Sequence, residues 1–485
     1  MGAVDIARWQ FAITTVYHFF FVPVTIGLSM IVACFETAWL RHRNPEMLRL
    51  TKFFGKLFTI NFALGLVTGI VQEFQFGMNW SDYSRFVGDI FGAPLAMEGL
   101  MAFFLESTFL GLWIFGWDRL APRLHLACIW IVSVGTLLSA YFILAANSWM
   151  QHPVGYQMMP NGRPQLNDIW AVLGNSTQLV TFPHVILGAL VTGGVVMVSV
   201  SAWHLKGGRN PEVFRPSLKL GLITTLVASI GTVISGDVQA RIMTEQQPMK
   251  MAAAEALYSA KSGAPFSLFT IGSLNGREEV FSLRVPNVLS FMATGSPNGR
   301  VEGINDVQAA YQARYGFGDY IPYVPVTYWG FRLMIGFGAV AALIALIGLL
   351  GLRGGRTPSS RWFWRIGIAA VVLPFLANSF GWIFTEMGRQ PWSVFGLLKT
   401  ATSVSPTVSM GEVLTSLIAF TLLYGVLAVI ELKLMVRYAK EGPPSEEDAL
   451  AGLHPPKDEP GGGSGGAQGT SGTEPEDERP LVFAY

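Results

Sequence analysis

Nine long apolar stretches constrain this chain of 485 residues more than any other feature of its sequence. A transmembrane α-helix needs about 20 mostly apolar residues, and each stretch is long enough. The stretches cover residues 9–39, 53–78, 91–117, 124–147, 177–204, 218–240, 326–351, 362–387 and 408–436. Only 13% of the residues are charged, whereas soluble globular chains carry about 25%. The sequence therefore predicts an all-α, polytopic membrane protein with about nine transmembrane helices, and it excludes an ordinary cytosolic enzyme.

The positive charges of the connecting loops indicate how the helices are oriented. The loops after odd-numbered stretches carry most of the Lys and Arg residues, namely Arg41, Arg43, Arg49, Lys52, Arg119, Arg123, Lys206, Arg209, Arg215, Lys219, Arg353, Arg356, Arg361 and Arg365. The short loops after even-numbered stretches carry only Arg85, Arg163, Arg389 and Lys399. Cytoplasmic loops are enriched in Lys and Arg, so we expect the N-terminus outside and the C-terminus in the cytoplasm. The first stretch lacks a signal-peptide cleavage site and is expected to remain as a helix.

The stretches divide the chain into four parts. Residues 1–240 are predicted to hold transmembrane helices 1–6, and residues 326–442 to hold helices 7–9. Residues 241–325 form a polar extracytoplasmic loop that is too long for a simple connector, so we expect a functional cap. Residues 443–485 are rich in Gly, Pro, Ser and acidic residues and are predicted to be a disordered cytoplasmic tail. Cys34 and Cys128 both lie in apolar stretches, so neither a disulfide framework nor a thiolate metal site is expected.

Ionisable and sulfur-containing side chains inside the stretches are candidates for cofactor binding, because buried polar groups in a membrane are costly. His18 and His184 are each open to two interpretations, a histidine satisfied by a neighbouring helix or an axial haem ligand in an apolar pocket. Met334 is of a residue type that usually fills cores. A Met thioether with a His nevertheless forms a six-coordinate electron-transfer haem. Arg332, two residues before Met334, is placed to neutralise a haem propionate.

Two acids, Glu98 and Glu106, lie in the third stretch. On an α-helix, eight residues separate them by about 80° around the axis and about 12 Å along it. Acids on neighbouring faces at different depths favour steps in a proton path. The alternative is a pair of protonated, hydrogen-bonded acids with a structural role. We consider it weaker, because one apolar helix would then bear the cost of burying two carboxyl groups without a function for either.

Two further clusters of polar residues lie close to predicted membrane boundaries. Trp382, Glu386 and Arg389 crowd the end of the eighth stretch. Snorkelling of Arg389 to the interface explains that residue, but it does not explain Glu386. In the long loop, Lys250 and Glu255 suit a small polar head group, although composition alone favours a solvated amphipathic helix there.

Several segments together carry a family resemblance. They are Arg8-Trp9-Gln10-Phe11, Tyr17-His18-Phe19, Glu73-Phe74-Gln75-Phe76-Gly77-Met78-Asn79-Trp80, Ala146-Asn147-Ser148-Trp149-Met150-Gln151-His152-Pro153, Gln247-Pro248 to Glu255, Phe331-Arg332-Leu333-Met334 and Gly388-Arg389-Gln390-Pro391-Trp392. In this order and at these positions, the chain up to its tail resembles subunit I of the cytochrome bd-type quinol oxidases, in the form with a short quinol loop.

The resemblance implies three haems near the outer side of the membrane. His184 and Met334 match the axial ligands of the low-spin haem b558. His18 and Glu386 match ligands of the two high-spin haems, provisionally His18 for haem d and Glu386 for haem b595. Some relatives carry a further haem b in place of haem d. Arg8 and Arg332 are expected to contact the cofactors.

The resemblance also implies roles for the other candidates. Glu98, Glu106, Trp382 and Arg389 are expected to serve catalysis and proton supply, and Lys250 and Glu255 to bind quinol.

The expected activity is that of a terminal oxidase. It oxidises membrane quinol, reduces O2 to water and generates proton motive force by vectorial proton chemistry without pumping. Expected partners are oxidase subunit II and a small single-span subunit, in a bacterial plasma membrane. The alternative function is a membrane b-type cytochrome that passes electrons to an acceptor other than oxygen. A proton-coupled transporter is disfavoured, because it leaves His18, His184 and Met334 unexplained.

Overall fold

The computed structural model describes residues 2–356, 358–451 and 453. These residues form sixteen α-helices, α1 (Ala3–His42), α2 (Pro45–Met78), α3 (Ser81–Met97), α4 (Phe104–Phe115), α5 (Pro122–Gln151), α6 (Ile169–Leu173), α7 (Ser176–Lys206), α8 (Pro211–Gln246), α9 (Pro248–Ala254), α10 (Val288–Thr294), α11 (Ile304–Tyr315), α12 (Val324–Gly351), α13 (Arg361–Ala369), α14 (Val372–Gly388), α15 (Met410–Glu441) and α16 (Glu446–Leu450). The strands are short and form two-stranded antiparallel pairs. They are β1 (Tyr156–Met158), β2 (Pro164–Leu166), β3 (Lys261–Ser262), β4 (Phe266–Gly272), β5 (Glu279–Val285), β6 (Arg300–Val301), β7 (Trp392–Val394) and β8 (Leu398–Lys399).

Nine helical spans in the described part of the chain are long and apolar enough to cross a membrane, which confirms the predicted count. Seven spans are single helices, whereas α3 with α4 and α13 with α14 each form one span. The third span begins at Ser81 instead of the predicted residue 91, because the helix extends beyond its most apolar part. A π-helical turn over Glu98–Phe103 joins α3 to α4. Pro94 lies one turn earlier and lacks the N–H that would continue the α-helical hydrogen bonding.

Helix α1 lies at the centre of the bundle and packs against α2, α5, α7, α14 and α15. Its contact with α7 requires a residue without a side chain, because a methyl group at Gly27 would lie 2.4 Å from the carbonyl oxygen of Ala189. The contact of α7 with α8 is equally close, since a methyl group at Gly194 would lie 3.0 Å from the carbonyl oxygen of Gly221. Helices α1, α7 and α8 therefore form a tightly packed unit that holds both candidate histidine ligands.

Residues between α8 and α12 form a folded cap on one end of the bundle, with three short helices and strands β3–β6. Helix α8 continues to Gln246, so the cap begins six residues later than the predicted boundary at residue 241. An ion pair of 2.8 Å between Asp237 and Arg241, one turn apart, supports this extension. In the β4–β5 hairpin, Phe269 pairs with Leu283 and Ile271 pairs with Phe281.

The predicted disordered tail begins too early at residue 443. The structure has helix α16 directly after α15, and its Ala449 is fully buried in the same apolar cluster as Leu48 and Val213. The Arg49 side chain donates a 2.8 Å hydrogen bond to the carbonyl oxygen of Pro444 and forms a 3.3 Å ion pair with Glu212. These contacts order the segment because it covers apolar surface at one end of the bundle. The rest of the predicted tail, residues 454–485, lies outside the described residues.

Candidate functional site

His18 lies in the middle of α1 and faces α2. Its Nδ1 lies 2.9 Å from the Oγ1 of Thr68, and that hydroxyl donates its own hydrogen to the carbonyl oxygen of Gly65. A hydroxyl has one hydrogen to donate, so His18 Nδ1–H must be the donor to Thr68. Nε2 then carries the lone pair. A methyl group at Gly69 would lie 3.2 Å from His18 Cε1, which is closer than an ordinary van der Waals contact. Glycine at this position therefore leaves space for the imidazole ring.

His184 on α7 repeats the same arrangement. Its Nδ1 lies 3.1 Å from the Oγ of Ser235, which donates its hydrogen to the carbonyl oxygen of Thr232. Nδ1 is therefore again the protonated nitrogen, and Nε2 carries the lone pair. Gly236 faces the ring, since a methyl group there would lie 3.4 Å from His184 Cε1. A metal-binding histidine is usually fixed through its second nitrogen in this way.

Met334 lies on α12 and faces α14. A methyl group at Gly381 would lie 3.1 Å from its sulfur atom. Helix α12 packs against both α8, which lies beside His184, and α14. The Met334 thioether is thus held next to glycine on the neighbouring helix, as the two histidine rings are.

Arg332, also on α12, is buried with unused hydrogen-bond donors. Its Nη2 forms a 2.6 Å ion pair with Glu255, while Nε and Nη1 have no hydrogen-bond partner in the described part of the chain. Its guanidinium carbon lies 4.5 Å from the ring centre of Phe266. Buried guanidinium N–H groups without acceptors are costly, and an anionic group such as a carboxylate would satisfy them. This fits the propionate contact expected at Arg332.

The end of α14 holds an ion pair between the half-buried Glu386 and the buried Arg389. The Nδ2 of Asn147 on α5 donates a 3.1 Å hydrogen bond to Glu386 Oε1. Arg389 also donates to the carbonyl oxygen of Ser393. A snorkelling role for Arg389 is therefore wrong, because the residue is only 4% exposed and both its hydrogen bonds are internal.

Lys250 joins this network from the cap. Its Nζ donates a 2.9 Å hydrogen bond to Gln151 Oε1, and Gln151 Nε2 donates a 2.8 Å hydrogen bond to Asn147 Oδ1. A continuous chain of side chains thus runs from Lys250 through Gln151 and Asn147 to Glu386. Burial lowers the pKa of Lys250 to about 7, and the nearby Glu386 carboxylate partly offsets this effect.

Lys250 and Glu255 do not face a shared space, contrary to the predicted joint grip on a head group. Lys250 contacts α5, whereas Glu255 pairs with Arg332 on α12 and accepts a 3.0 Å hydrogen bond from the backbone N–H of Ser267. The solvated amphipathic helix is also wrong, because α9 is buried from Met249 to Ala254. A cavity of about 500 Å³ lies next to the residues that follow Glu255 in the chain, and its lining includes Ala256, Tyr258 and Arg284.

Glu98 and Glu106 lie on one face of the third span, not on neighbouring faces. Glu98 Oε1 accepts a 2.8 Å hydrogen bond from Ser139 on α5, and its Oε2 has no partner among the described residues. Glu106 packs against Gly135, one turn earlier on α5, where a methyl group would lie 2.8 Å from Glu106 Cγ. One residue inserted by the π-turn changes the offset from about 80° to about 20°. In the sequence, Pro94 indicates a break in the helix close to this turn.

The remaining candidates are Trp382 and Arg8. Trp382 packs edge-to-face on Phe19, the neighbour of His18, with ring centres 5.0 Å apart. Arg8 is half-buried on the first turns of α1 and has no hydrogen bond or ion pair in the described residues. The structure thus brings Trp382 to the His18 region and leaves Arg8 without a protein partner.

Three polar residues inside the bundle have no clear signal in the sequence. Gln151 and Asn147 appear there only as parts of a matching segment, because an amide in a helix carries no charge. Glu36, in another part of the bundle, pairs with His125 at 2.7 Å. Within the described residues, no group of three or more His, Cys, Asp or Glu side chains can hold a metal ion. A haem needs only one or two axial ligands, and His18, His184 and Met334 fit that requirement.

The fold and these residues define a class, that of multi-pass helical membrane proteins with histidine and methionine side chains inside the helix bundle. The comparisons with known proteins identify the family. Residues 6–443 match the family model described as cytochrome bd terminal oxidase subunit I, and the chain belongs to this family. It is therefore a haem-containing subunit of a terminal oxidase.

Relatives and a solved structure agree with this assignment. The chain is 50% identical to cytochrome bd ubiquinol oxidase subunit 1 of Bacillus subtilis, over 91% of this chain and 94% of that protein. It is 36% identical to cytochrome bd-II ubiquinol oxidase subunit 1 of Escherichia coli, over 91% and 97% respectively. The structure of bd oxidase from Geobacillus thermodenitrificans superposes with a TM-score of 0.83 at 28% identity, covering 91% of this chain and 99% of that one. None of these comparisons supports an electron-transfer cytochrome with another acceptor.

The lowered pKa of Lys250 predicts a pH dependence of stability. Below its ordinary pKa of 10.5 the unfolded chain holds a proton on this lysine, whereas the folded chain holds it only below about 7. The unfolded state binds more protons in this window, so the free energy of unfolding rises as the pH increases through it. We expect Lys250→Met to reduce this rise, measured as the change in thermal unfolding midpoint of the assembled enzyme.

The matched control is Lys261→Met, because Lys261 is exposed on β3. This variant should keep the pH dependence of the parent. An unchanged pH dependence in Lys250→Met would show that Lys250 keeps its proton in the folded protein.

Proposed function

We propose that this chain oxidises membrane quinol and reduces O2 to water as subunit I of a cytochrome bd-type oxidase. Together with subunit II, and with a small single-span subunit, it would form the enzyme in the bacterial plasma membrane. Its N-terminus would be outside and its C-terminus in the cytoplasm, as the positive charges of the loops indicate. Protons released outside and taken up from the cytoplasm would generate proton motive force without a pump.

The observation that carries this proposal is the tautomer of His18 and His184. Each ring donates from Nδ1 to a hydroxyl whose own hydrogen is already used, which leaves the Nε2 lone pair for iron. His184 with Met334 would hold haem b558. His18 would hold haem d, or a further haem b, and Glu386 would hold haem b595. When bound, the haems supply the electron transfer and oxygen chemistry.

Other side chains would bind the haem propionates, exclude water and transfer protons. Arg332 would neutralise a propionate of haem b558 with its two unpaired nitrogens, Nε and Nη1. Arg8 would contact a cofactor with its unpaired guanidinium. Trp382 and Phe19 would exclude water beside His18. Glu106 and then Glu98 would carry protons from the cytoplasm toward the haems along the face of α5, where Ser139 donates a hydrogen bond to Glu98.

Quinol would bind at the cap. Glu255 would accept a hydrogen bond or a proton from the quinol head group, and Arg332 and the Ser267 N–H hold its carboxylate in place. Lys250 lies on the other side of α9, where its hydrogen bond to Gln151 would hold the cap against α5 and so keep the quinol site in place. Arg389 would hold the Glu386 carboxylate in place, and the hydrogen-bonded chain through Asn147 and Gln151 connects this carboxylate to Lys250.

The visible spectrum of the dithionite-reduced enzyme with its partner subunit tests this function, before and after CO is added. We expect a far-red chlorin band that shifts with CO, which would establish an accessible haem d. Only b-type bands with a CO-sensitive fraction would place the protein in the all-b branch of the family. Bands without any CO response would contradict the assignments of His18 and Glu386.

A further inference from the structure

The β4–β5 hairpin of the cap has its apolar face outward and its polar face inward. The outward face carries two cross-strand pairs of large apolar residues in register, Phe269 with Leu283 and Ile271 with Phe281. A third pair, Phe266 with Val285, lies at the inner edge of the hairpin, where the Phe266 ring contacts Arg332. Within this set Leu283 and Phe281 are each 56% exposed and Ile271 is 47% exposed. An antiparallel hairpin on a soluble domain shows the opposite pattern, with polar residues outward.

The polar side chains on the inward face of the hairpin have protein partners, which explains why they face inward but not why the apolar face is exposed. Ser267 and Thr270 are buried and share a 2.7 Å hydrogen bond, and Ser267 Oγ also lies 2.8 Å from the Tyr328 hydroxyl. Arg284 donates to the backbone carbonyl oxygens of Glu255 and Ala256. The polar side chains thus have partners around Glu255. The apolar side has none in the described residues apart from the contacts at its inner edge.

One of those contacts connects the hairpin to a membrane-spanning helix. The Phe269 ring packs edge-to-face on Trp329, with ring centres 5.3 Å apart. Trp329 lies in the second turn of α12 and is 36% exposed. Further along α12, on the same face as Trp329, lies a row of exposed aliphatic residues, Val340, Leu343, Ile347 and Leu350. The outward face of the hairpin is therefore continuous with the outward face of a transmembrane helix.

The outward face of the hairpin and the exposed face of α12 are also alike in composition. The outward face of the hairpin carries no charged side chain between the pairs, and the charged residues Arg277, Glu278 and Glu279 lie at the turn or strand end. Tryptophan and phenylalanine beside an aliphatic stripe are typical of the level where a span enters the head-group region. Large apolar surfaces on soluble faces are rare unless something covers them.

We propose that the β4–β5 hairpin is a membrane-embedded element, with the outward face of Phe269, Ile271, Phe281 and Leu283 immersed in the lipid of the outer leaflet. Its inward face then forms a wall between the lipid and Glu255. This inference concerns lipid contact alone, so it does not depend on the identity of the substrate.

Spin-label accessibility of the holoenzyme in lipid nanodiscs tests the proposal. Labels are placed at Phe281→Cys or Leu283→Cys in a background with Cys34→Ala and Cys128→Ala, without reductant present. Only variants with the parent visible spectrum are used, which ensures that they are assembled. Collision with apolar O2 is compared with collision with the water-soluble complex Ni(II)-EDDA.

We expect O2 collisions to exceed Ni(II)-EDDA collisions at both positions, and the ratio to invert at the control Lys261→Cys on the exposed strand β3. Low values for both reagents at Phe281 and Leu283 would mean that a protein partner covers the face. A high Ni(II)-EDDA value would mean that the face is in water. Either of these results would overturn the proposal without bearing on the haem assignments.

Discussion

Replacing Met334 with leucine is expected to abolish the low-spin haem signature and to lower quinol oxidase turnover at least about 100-fold. Mutating a residue that only hydrogen-bonds to a metal ligand lowers metal affinity or activity roughly 10- to 100-fold, and losing the ligand itself should cost at least as much. Leucine conserves the volume of methionine and usually costs under about 1.5 kcal/mol in a core, but it has no thioether. The measurement is the reduced visible spectrum, haem content and turnover of the assembled enzyme. A new CO-sensitive fraction should appear where the sixth ligand was lost.

Met197→Leu is the matched control. Met197 is fully buried on α7, the helix that carries His184, and it packs in an apolar cluster away from the candidate ligands. This variant should keep the parent spectrum and turnover. An unchanged low-spin spectrum in Met334→Leu would remove Met334 from the ligand set and leave the function itself intact.

The double variant Glu98→Gln with Glu106→Gln is expected to lower O2 reduction about 100-fold or more, because positioned proton donors contribute roughly 10²–10⁴-fold. Glutamine has nearly the shape of glutamate, so Ser139 can still contact position 98, but the amide cannot pass on a proton. Haem content should stay normal. Anaerobic reduction by quinol should also continue, since it does not require proton uptake along α5.

Asp89→Asn provides the control on the same span, because Asp89 is an exposed acid in α3. Its turnover should match that of the parent. Full turnover of the double variant with normal haem content would rule out an essential carboxylate path through Glu98 and Glu106.

The face that the two acids share illustrates a limit of sequence reasoning. Counting on a regular α-helix separates Glu98 from Glu106 by about 80°, whereas the π-turn after Met97 brings both toward α5. Pro94 indicates a break, but a proline does not determine whether the helix bends, unwinds or inserts a residue. That choice depends on what packs beside it, here Ser139 and Gly135.

The cap illustrates the same limit for charged residues. Lys250 and Glu255 were identified from their types and spacing, but their partners Gln151 and Arg332 are 99 and 77 residues away in the chain. A spacing of five residues suggested one binding site for both. The helix α9 instead directs the two side chains toward different spans.

The sequence by itself determined the membrane class, the nine spans and the types of the candidate ligands. These depend on the apolar length of each stretch and on the cost of polar groups in a bilayer, and both are local properties of the chain. Only the tertiary structure decided which nitrogen of His18 and His184 is free. That follows from the hydroxyls of Thr68 and Ser235 on neighbouring helices, because a ring tautomer is set by the hydrogen bond that packing supplies.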